Sequence, residues 1–185
     1  MLAVLQILFT TWFFCMPVSP PDPVPAKALP MSLEEKALYK AIMSYRKQKG
    51  LPIIKISANL SKIAQMHADE LLAKAPEEPC NMHSWTGKFG EMACCYTNDH
   101  REAACMWNKP AEFSNYKATG FEIAAFDNSE EPDFLDGWKG SHGHNQVIIN
   151  AGTWKKMEWK AVGVAIRKPY AVVWFGNEPD AETID

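Results

Sequence analysis

Basic side chains cluster nowhere in these 185 residues: 19 Lys and Arg are scattered among 22 Asp and Glu, giving a net charge of −3. Without a basic stripe to track phosphates, nucleic acid is not an expected partner. The glycine loops G-x-G-x-x-G and G-x-x-x-x-G-K-[ST] are missing, which removes the nucleotide-cradle readings. G-x-S-x-G and H-E-x-x-H are missing too, so neither a serine elbow nor a zincin helix is on offer. No C-x-x-C pair occurs, which argues against a Cys-rich zinc site. Repeats are absent. Disorder is excluded by a composition that is 47% hydrophobic and 11% aromatic.

The N-terminus is apolar from Leu2 to Phe14, interrupted by Gln6, Thr10 and Thr11. That run is short for a membrane span and suits the core of a signal peptide, although a retained anchor is the rival reading. Residues 17–30 (PVSPPDPVPAKALP) are too rich in proline for helix or sheet and read as a linker, with cleavage after Ala26. Residues 1–26 are therefore expected to be leader and linker, and the mature chain to be secreted with no membrane span. Export agrees with the cysteines. Once Cys15 leaves with the leader, Cys80, Cys94, Cys95 and Cys105 remain, an even and clustered set that predicts two disulfides. Neighbours Cys94 and Cys95 should each pair outward, to Cys80 or to Cys105. Asn59-Leu60-Ser61 is a glycosylation sequon, usable in a eukaryotic secretory pathway.

Ser32 and Glu35 form a capping box ahead of Leu33, Ala37, Leu38, Ala41 and Ile42, and Gly50 and Pro52 end that helix. A second helix opens near Ser57 or Asn59, carries Leu60, Ile63, Ala64, Ala68, Leu71 and Leu72, and stops before Pro76. His67 falls on its stripe and is expected to be a satisfied core histidine. Residues 76–100 read as loop, residues 99–108 as a short helix ended by Pro110, and residues 133–139 as another. GFEIAAF, with Glu122, is rich in strand formers. KAVGVAIR and AVVWF form a late hairpin. Helices first and strands last predict an α+β fold.

The stretch GWKGSHGHNQVIIN then takes on meaning. Trp138, Ser141-His142-Gly143-His144 and Val147-Ile148-Ile149-Asn150 follow the order Trp, S-P-G-H, N-I-L found in the bacterial-type branch of the CAP superfamily. Tyr45-Arg46, Gly50-Leu51-Pro52, Leu60, Ala64 and His67-Ala68 fit its first helices; Val162-Gly163-Val164-Ala165 and Val173-Trp174-Phe175-Gly176 fit its last strands. Over residues 32–176 the chain resembles the cysteine-rich secretory, antigen 5 and pathogenesis-related 1 proteins. The resemblance implies a three-layer α-β-α sandwich with a small antiparallel sheet, followed by a tail at 177–185. It implies a cleft of His83, in an H-S context, with a glutamate and His144, while His142 stands where the family often has proline and is read as a bystander. The glutamate is Glu122, 16 residues before Trp138, with Glu91 of Gly90-Glu91-Met92-Ala93 as the competitor. On that choice residues 84–119 are a Cys-rich insertion. The second acidic position falls on Ser141, and Glu112 is a substitute from the insertion.

Two neutral imidazoles and a carboxylate can hold zinc at about 2.0–2.2 Å with a water in the fourth place. His83 and His144 are the expected metal ligands. Trp138 and Trp174 are assigned to the core and Trp85, beside His83, to a ligand groove. The family's proteins are mostly regarded as extracellular binding modules, some for sterols or other lipids. Three functions follow: a non-enzymatic binding module for a lipid, sterol or protein; a zinc-dependent hydrolase with His144 or Glu122 as general base; and an interaction factor acting through the insertion.

Overall fold

The computed structural model describes Val24, residues 27–90 and residues 93–184. The apolar leader, Cys15, the cleavage step after Ala26 and Glu91 lie outside the described residues. Helix α1 (Leu33–Gln48) begins with the expected capping box: Ser32 Oγ accepts from the Glu35 amide, and Glu35 Oε2 accepts from the Ser32 amide. Gly50, at φ +74°, makes the turn that follows. A two-residue strand β1 (Lys55–Ile56) leads into α2 (Ala58–Ala73), whose N-cap is Ser57. The predicted helix after residue 99 is split into α3 (Ala103–Trp107) and α4 (Lys109–Phe113). Pro110 does not end it; it sits in the first turn of α4, where its missing N–H costs nothing. Strand β2 (Gly120–Phe126), helices α5 (Phe134–Gly140) and α6 (His142–Ile148), and strands β3 (Ala161–Arg167) and β4 (Tyr170–Gly176) complete the chain.

The sheet runs β1-β3-β4-β2. Its last three strands are antiparallel, but β1 joins β3 in parallel, so the small sheet is mixed rather than wholly antiparallel. Alternation divides the strands cleanly. Ala124, Ala161, Ala165, Val172 and Trp174 face α2, while Phe121, Ile123, Val162, Val164, Val173 and Phe175 face α1, α5 and α6. This is the three-layer sandwich. Glu122 shares the parity of Ala124, and so points to the α2 side from the edge strand β2.

Helix α2 is buried on nearly every side, including Ser61, Gln65, His67 and Glu70, whereas Leu72, expected on the stripe, is exposed. Three segments cover the polar face. Residues 84–119 lay Trp85, Cys94, Tyr96, Met106 and Tyr116 into the core, so they are built in rather than appended. Gln65 clamps the Leu29 backbone at both N–H (2.7 Å) and C=O (2.9 Å). The expected tail is also docked: Asp180 accepts from Ser57 Oγ, the Asn59 amide and Asn59 Nδ2, and Ala58 donates to Glu182 O. The Asn59 carboxamide is thus consumed between Asp180 and the Asn115 amide, so the sequon is not available for a glycan in the folded protein. The disulfides are Cys80–Cys95 and Cys94–Cys105.

Candidate functional site

The site forms where the edge strand meets both helical layers. Glu122 is buried, and each carboxylate oxygen takes one imidazole: Oε2 meets His67 Nδ1 at 2.5 Å and Oε1 meets His83 Nδ1 at 2.7 Å. The second ring nitrogen of His67 faces the Ser84 carbonyl at 3.0 Å. With an acceptor at each nitrogen, His67 is satisfied as an imidazolium paired to a carboxylate, or as a neutral ring whose Nδ1 receives the Glu122 proton. Burial disfavours the charged forms. For His67 that is outweighed by the charge and hydrogen bond of Glu122, which hold its pKa above the ordinary value. Burial would likewise raise Glu122, yet His67 and His83 bring it below the usual carboxylate range. The charged pair is therefore the favoured arrangement.

His83 and His144 meet edge to face, with ring centroids 6.3 Å apart. His144 is pushed down to about 4 by burial and then by His83, with Glu122 opposing, so it is neutral at physiological pH. The histidine pair of the SHGH motif is settled by the helix that carries it. On α6 successive residues turn by about 100°, so i and i+2 point apart. His144 turns to His83, while His142 is exposed and meets Gln146 Nε2 at 2.8 Å. Trp138, buried as expected, anchors α5 to β2 through Nε1 to Ala124 O at 3.2 Å, and Tyr45 Oη donates to Asn145 on α6.

Several expected roles need correction. Trp85 is not a groove wall: it is 2% exposed and stacks on His67, centroids 4.6 Å apart, with Lys109 over its ring. Glu112 does not supply a second acid to the cleft, because it pairs with Lys109 at 3.0 Å. A three-ligand zinc site does not fit either. Among the described residues no group of three His, Cys, Asp or Glu is arranged to hold a metal ion. The reason is visible in the donor set, since both oxygens of Glu122 and both nitrogens of His67 are already engaged, and His83 and His144 alone offer two nitrogens.

Two residues missed in the sequence complete the rim. Tyr96 stands edge-on to His83, centroids 5.2 Å apart, and its hydroxyl meets His100 Nδ1 at 2.9 Å. Burial and then Glu122 push the Tyr96 hydroxyl up, so it stays protonated. Both come from the segment read as a loop, where spacing carries no signal. With Nδ1 of His83 engaged by Glu122, its Nε2 is the ring nitrogen left for a ligand, and its side chain is 17% exposed. The opening therefore offers the ring nitrogens of His83 and His144. Other hollows lie elsewhere. One of about 500 Å³ runs between α1 and residues 130–135, floored by Ala37, Leu38, Ala41, Phe134 and Ile166.

Among the described residues no helix is long and apolar enough to cross a membrane. No curated protein matches the chain. Three solved structures share the fold: a cysteine-rich secretory protein from Staphylococcus aureus (18% identity, TM-score 0.51, 78% of this chain and 38% of that one), an extracellular SCP-domain protein from Bacillus anthracis (12%, 0.52, 80% and 44%) and an outer surface protein from Borrelia burgdorferi (19%, 0.50, 81% and 96%). The chain thus spans under half the length of the first two. A family model described as CAP, the cysteine-rich secretory protein family, matches residues 39–166, and the chain belongs to that family.

Proposed function

We propose that the protein is an exported CAP-domain binding module, of the branch marked by Ser141-His142-Gly143-His144, and that its cleft works as a polar anchor rather than as a catalytic centre. The observation that carries this reading is the burial of Glu122 between His67 and His83, one imidazole on each oxygen. A buried carboxylate that already bridges two imidazoles is a poorer metal ligand or general base than an exposed, unpaired one. His83 Nε2 and neutral His144 instead accept hydrogen bonds from a ligand hydroxyl or amide. The apolar ligand implied by the family has its own place in the hollow between α1 and residues 130–135. Export is supported by the apolar leader, by the two disulfides, and by solved relatives described as extracellular or outer-surface proteins. The reading in which residues 84–119 form a partner-binding lobe loses support because their large apolar side chains are buried.

Calorimetry on the protein and on His83→Ala/His144→Ala tests this, with zinc in one arm and a long-chain fatty acid in another, beside an ester and peptide substrate panel with and without chelator. The expected result is no one-site zinc binding, no chelator-sensitive hydrolysis, and fatty-acid binding that survives in the variant. One-site zinc binding lost in the variant, together with hydrolysis lost on chelation, overturns the proposal in favour of a metallohydrolase.

A further inference from the structure

Three of the four cleft residues rest on helices or the sheet, and the fourth on a segment with no helix or strand of its own. Glu122, His67 and His144 belong to β2, α2 and α6. His83 belongs to the stretch between the end of α2 at Ala73 and Trp85, which pairs with Cys94 through 2.8 Å hydrogen bonds in both directions. Among the contacts that hold this stretch, Asn81 donates to Tyr96 O at 2.8 Å, the His83 amide donates to Asn81 Oδ1 at 3.0 Å, and Ser84 donates to Asn81 O at 3.0 Å. The turn at residues 81–84 is joined to Tyr96 from both ends, by Asn81 N–H to Tyr96 O and by the Tyr96 amide to Ser84 Oγ. The covalent link that puts it there is the adjacent disulfide, Cys80–Cys95.

The two disulfides differ in exposure. Cys95 is exposed and Cys80 half-buried, whereas Cys94 of the other bridge is 3% exposed. A reductant therefore reaches Cys80–Cys95 first. Strands β1–β4 and helices α1, α2, α5 and α6 contain no cysteine, so the sandwich itself has nothing to lose by reduction. Trp85 would also stay, held by its burial, its stack on His67 and the Cys94–Cys105 bridge beyond it.

We propose that Cys80–Cys95 is a redox latch on the histidine cleft. An external dithiol attacks the exposed Cys95 sulfur and the S–S bond breaks. The mixed disulfide then resolves as the reagent closes its own ring. Two electrons and two protons pass from the dithiol, which becomes a cyclic disulfide, to Cys80 and Cys95, which become thiols. Residues 76–84 then lose their covalent cross-link and keep only the hydrogen bonds of Asn81, His83 and Ser84, so that His83 can leave Glu122. The cleft is complete in oxidising surroundings and dismantled, on a folded sandwich, in reducing ones. Closing a 15-residue loop biases the local equilibrium by roughly a hundredfold, which sets the size of the effect. This assignment rests on the cleft reading for its meaning, but its test needs no ligand.

The test is amide hydrogen exchange on the protein with and without dithiothreitol, and on Cys80→Ser/Cys95→Ser without it. Reduction should speed exchange at Asn81, His83 and Ser84 by roughly a hundredfold, leave Val162–Ile166 and Val172–Phe175 protected, and be reproduced by the double variant. Unchanged exchange at His83 and Ser84 in the reduced protein overturns the latch. So does loss of protection in the β3–β4 hairpin at the same reductant concentration, which would make the bridge a global staple. A double variant with native protection overturns it as well, by assigning the effect to Cys94–Cys105. Ligand titrations on the oxidised protein stand or fall separately, so either idea can fail alone.

Discussion

At the scale of single residues, one buried carboxylate and two histidines near it set the pH dependence of the fold. His67 has its pKa raised, Glu122 has its own lowered, and His144 is lowered to about 4. The raised His67 contributes stability that is full below its unfolded value of 6.5 and fades as pH climbs through its folded value. The depressed Glu122 contributes stability that is full above 4.5 and is lost as pH falls through its folded value. His144 acts on the acid side. Below pH 6.5 the unfolded chain takes up a proton there that the folded protein refuses until about 4, so stability drains across that interval. The three signs together place the stability maximum near pH 6.5, with melting temperature falling on both sides. His144→Gln should flatten the acid limb between pH 6.5 and 4 and leave the alkaline limb alone. A native protein whose melting temperature keeps rising below pH 5.5 would contradict this account. His67 shows how far the sequence reached. Its place on an apolar helical stripe made it legible as a satisfied core residue, but its partner lies 55 positions away on a strand, a distance at which periodicity says nothing.

At the scale of elements, α2 lies hard against β3, and one glycine permits it. A Cβ on Gly163 would lie 2.1 Å from the Leu60 carbonyl carbon and 2.3 Å from the Ser61 nitrogen, both backbone atoms that cannot swing aside. Gly163→Ala must therefore lift α2 off the sheet. Overpacking of that kind costs about 1–3 kcal/mol, or a melting temperature lower by several degrees, and the displaced helix carries His67 with it. Gly137 on α5 is the control, since a Cβ there meets nothing within 4 Å and Gly137→Ala should not lower the melting temperature. Equal losses in the two variants would remove the close-approach argument. α1, α2 and the β3–β4 hairpin were readable because capping residues and periodicity agree with the tertiary contacts. α4 and β1 were not. Pro110 reads as a stop but works equally well as a start, and a two-residue strand has no period to detect. The His-x-His geometry also turned on element type: read as a loop or strand the two rings could share a side, whereas helix α6 separates them.

At the scale of the whole molecule, both ends of the described chain converge on α2, the helix that the sequence presents as amphipathic and the fold buries almost completely. Asp180 and Glu182 close its N-terminal turn, and Gln65 on its flank grips Leu29. The sequence gives no warning of either contact, because both ends read as linker or tail and the pairing residues are ordinary polar ones. The consequence concerns where the chain can be shortened. Starting at Lys27 keeps the Leu29 clamp, Met31, which is 6% exposed, and the Ser32 cap. Starting at Leu33 loses all three. Burial of a methionine is worth about 1.5–3 kcal/mol and an N-cap about 1 kcal/mol, so the shorter chain should be less stable by about 3 kcal/mol. Chemical denaturation of the full chain and of the two shortened ones measures this directly. Equal midpoints for the full chain and the Lys27 start, with a clear drop for the Leu33 start, would place the structural boundary between Lys27 and Leu33, just after the expected processing point. A drop already at Lys27 would mean that residues before it are part of the folded unit, and that removing the leader after Ala26 is incompatible with a stable domain.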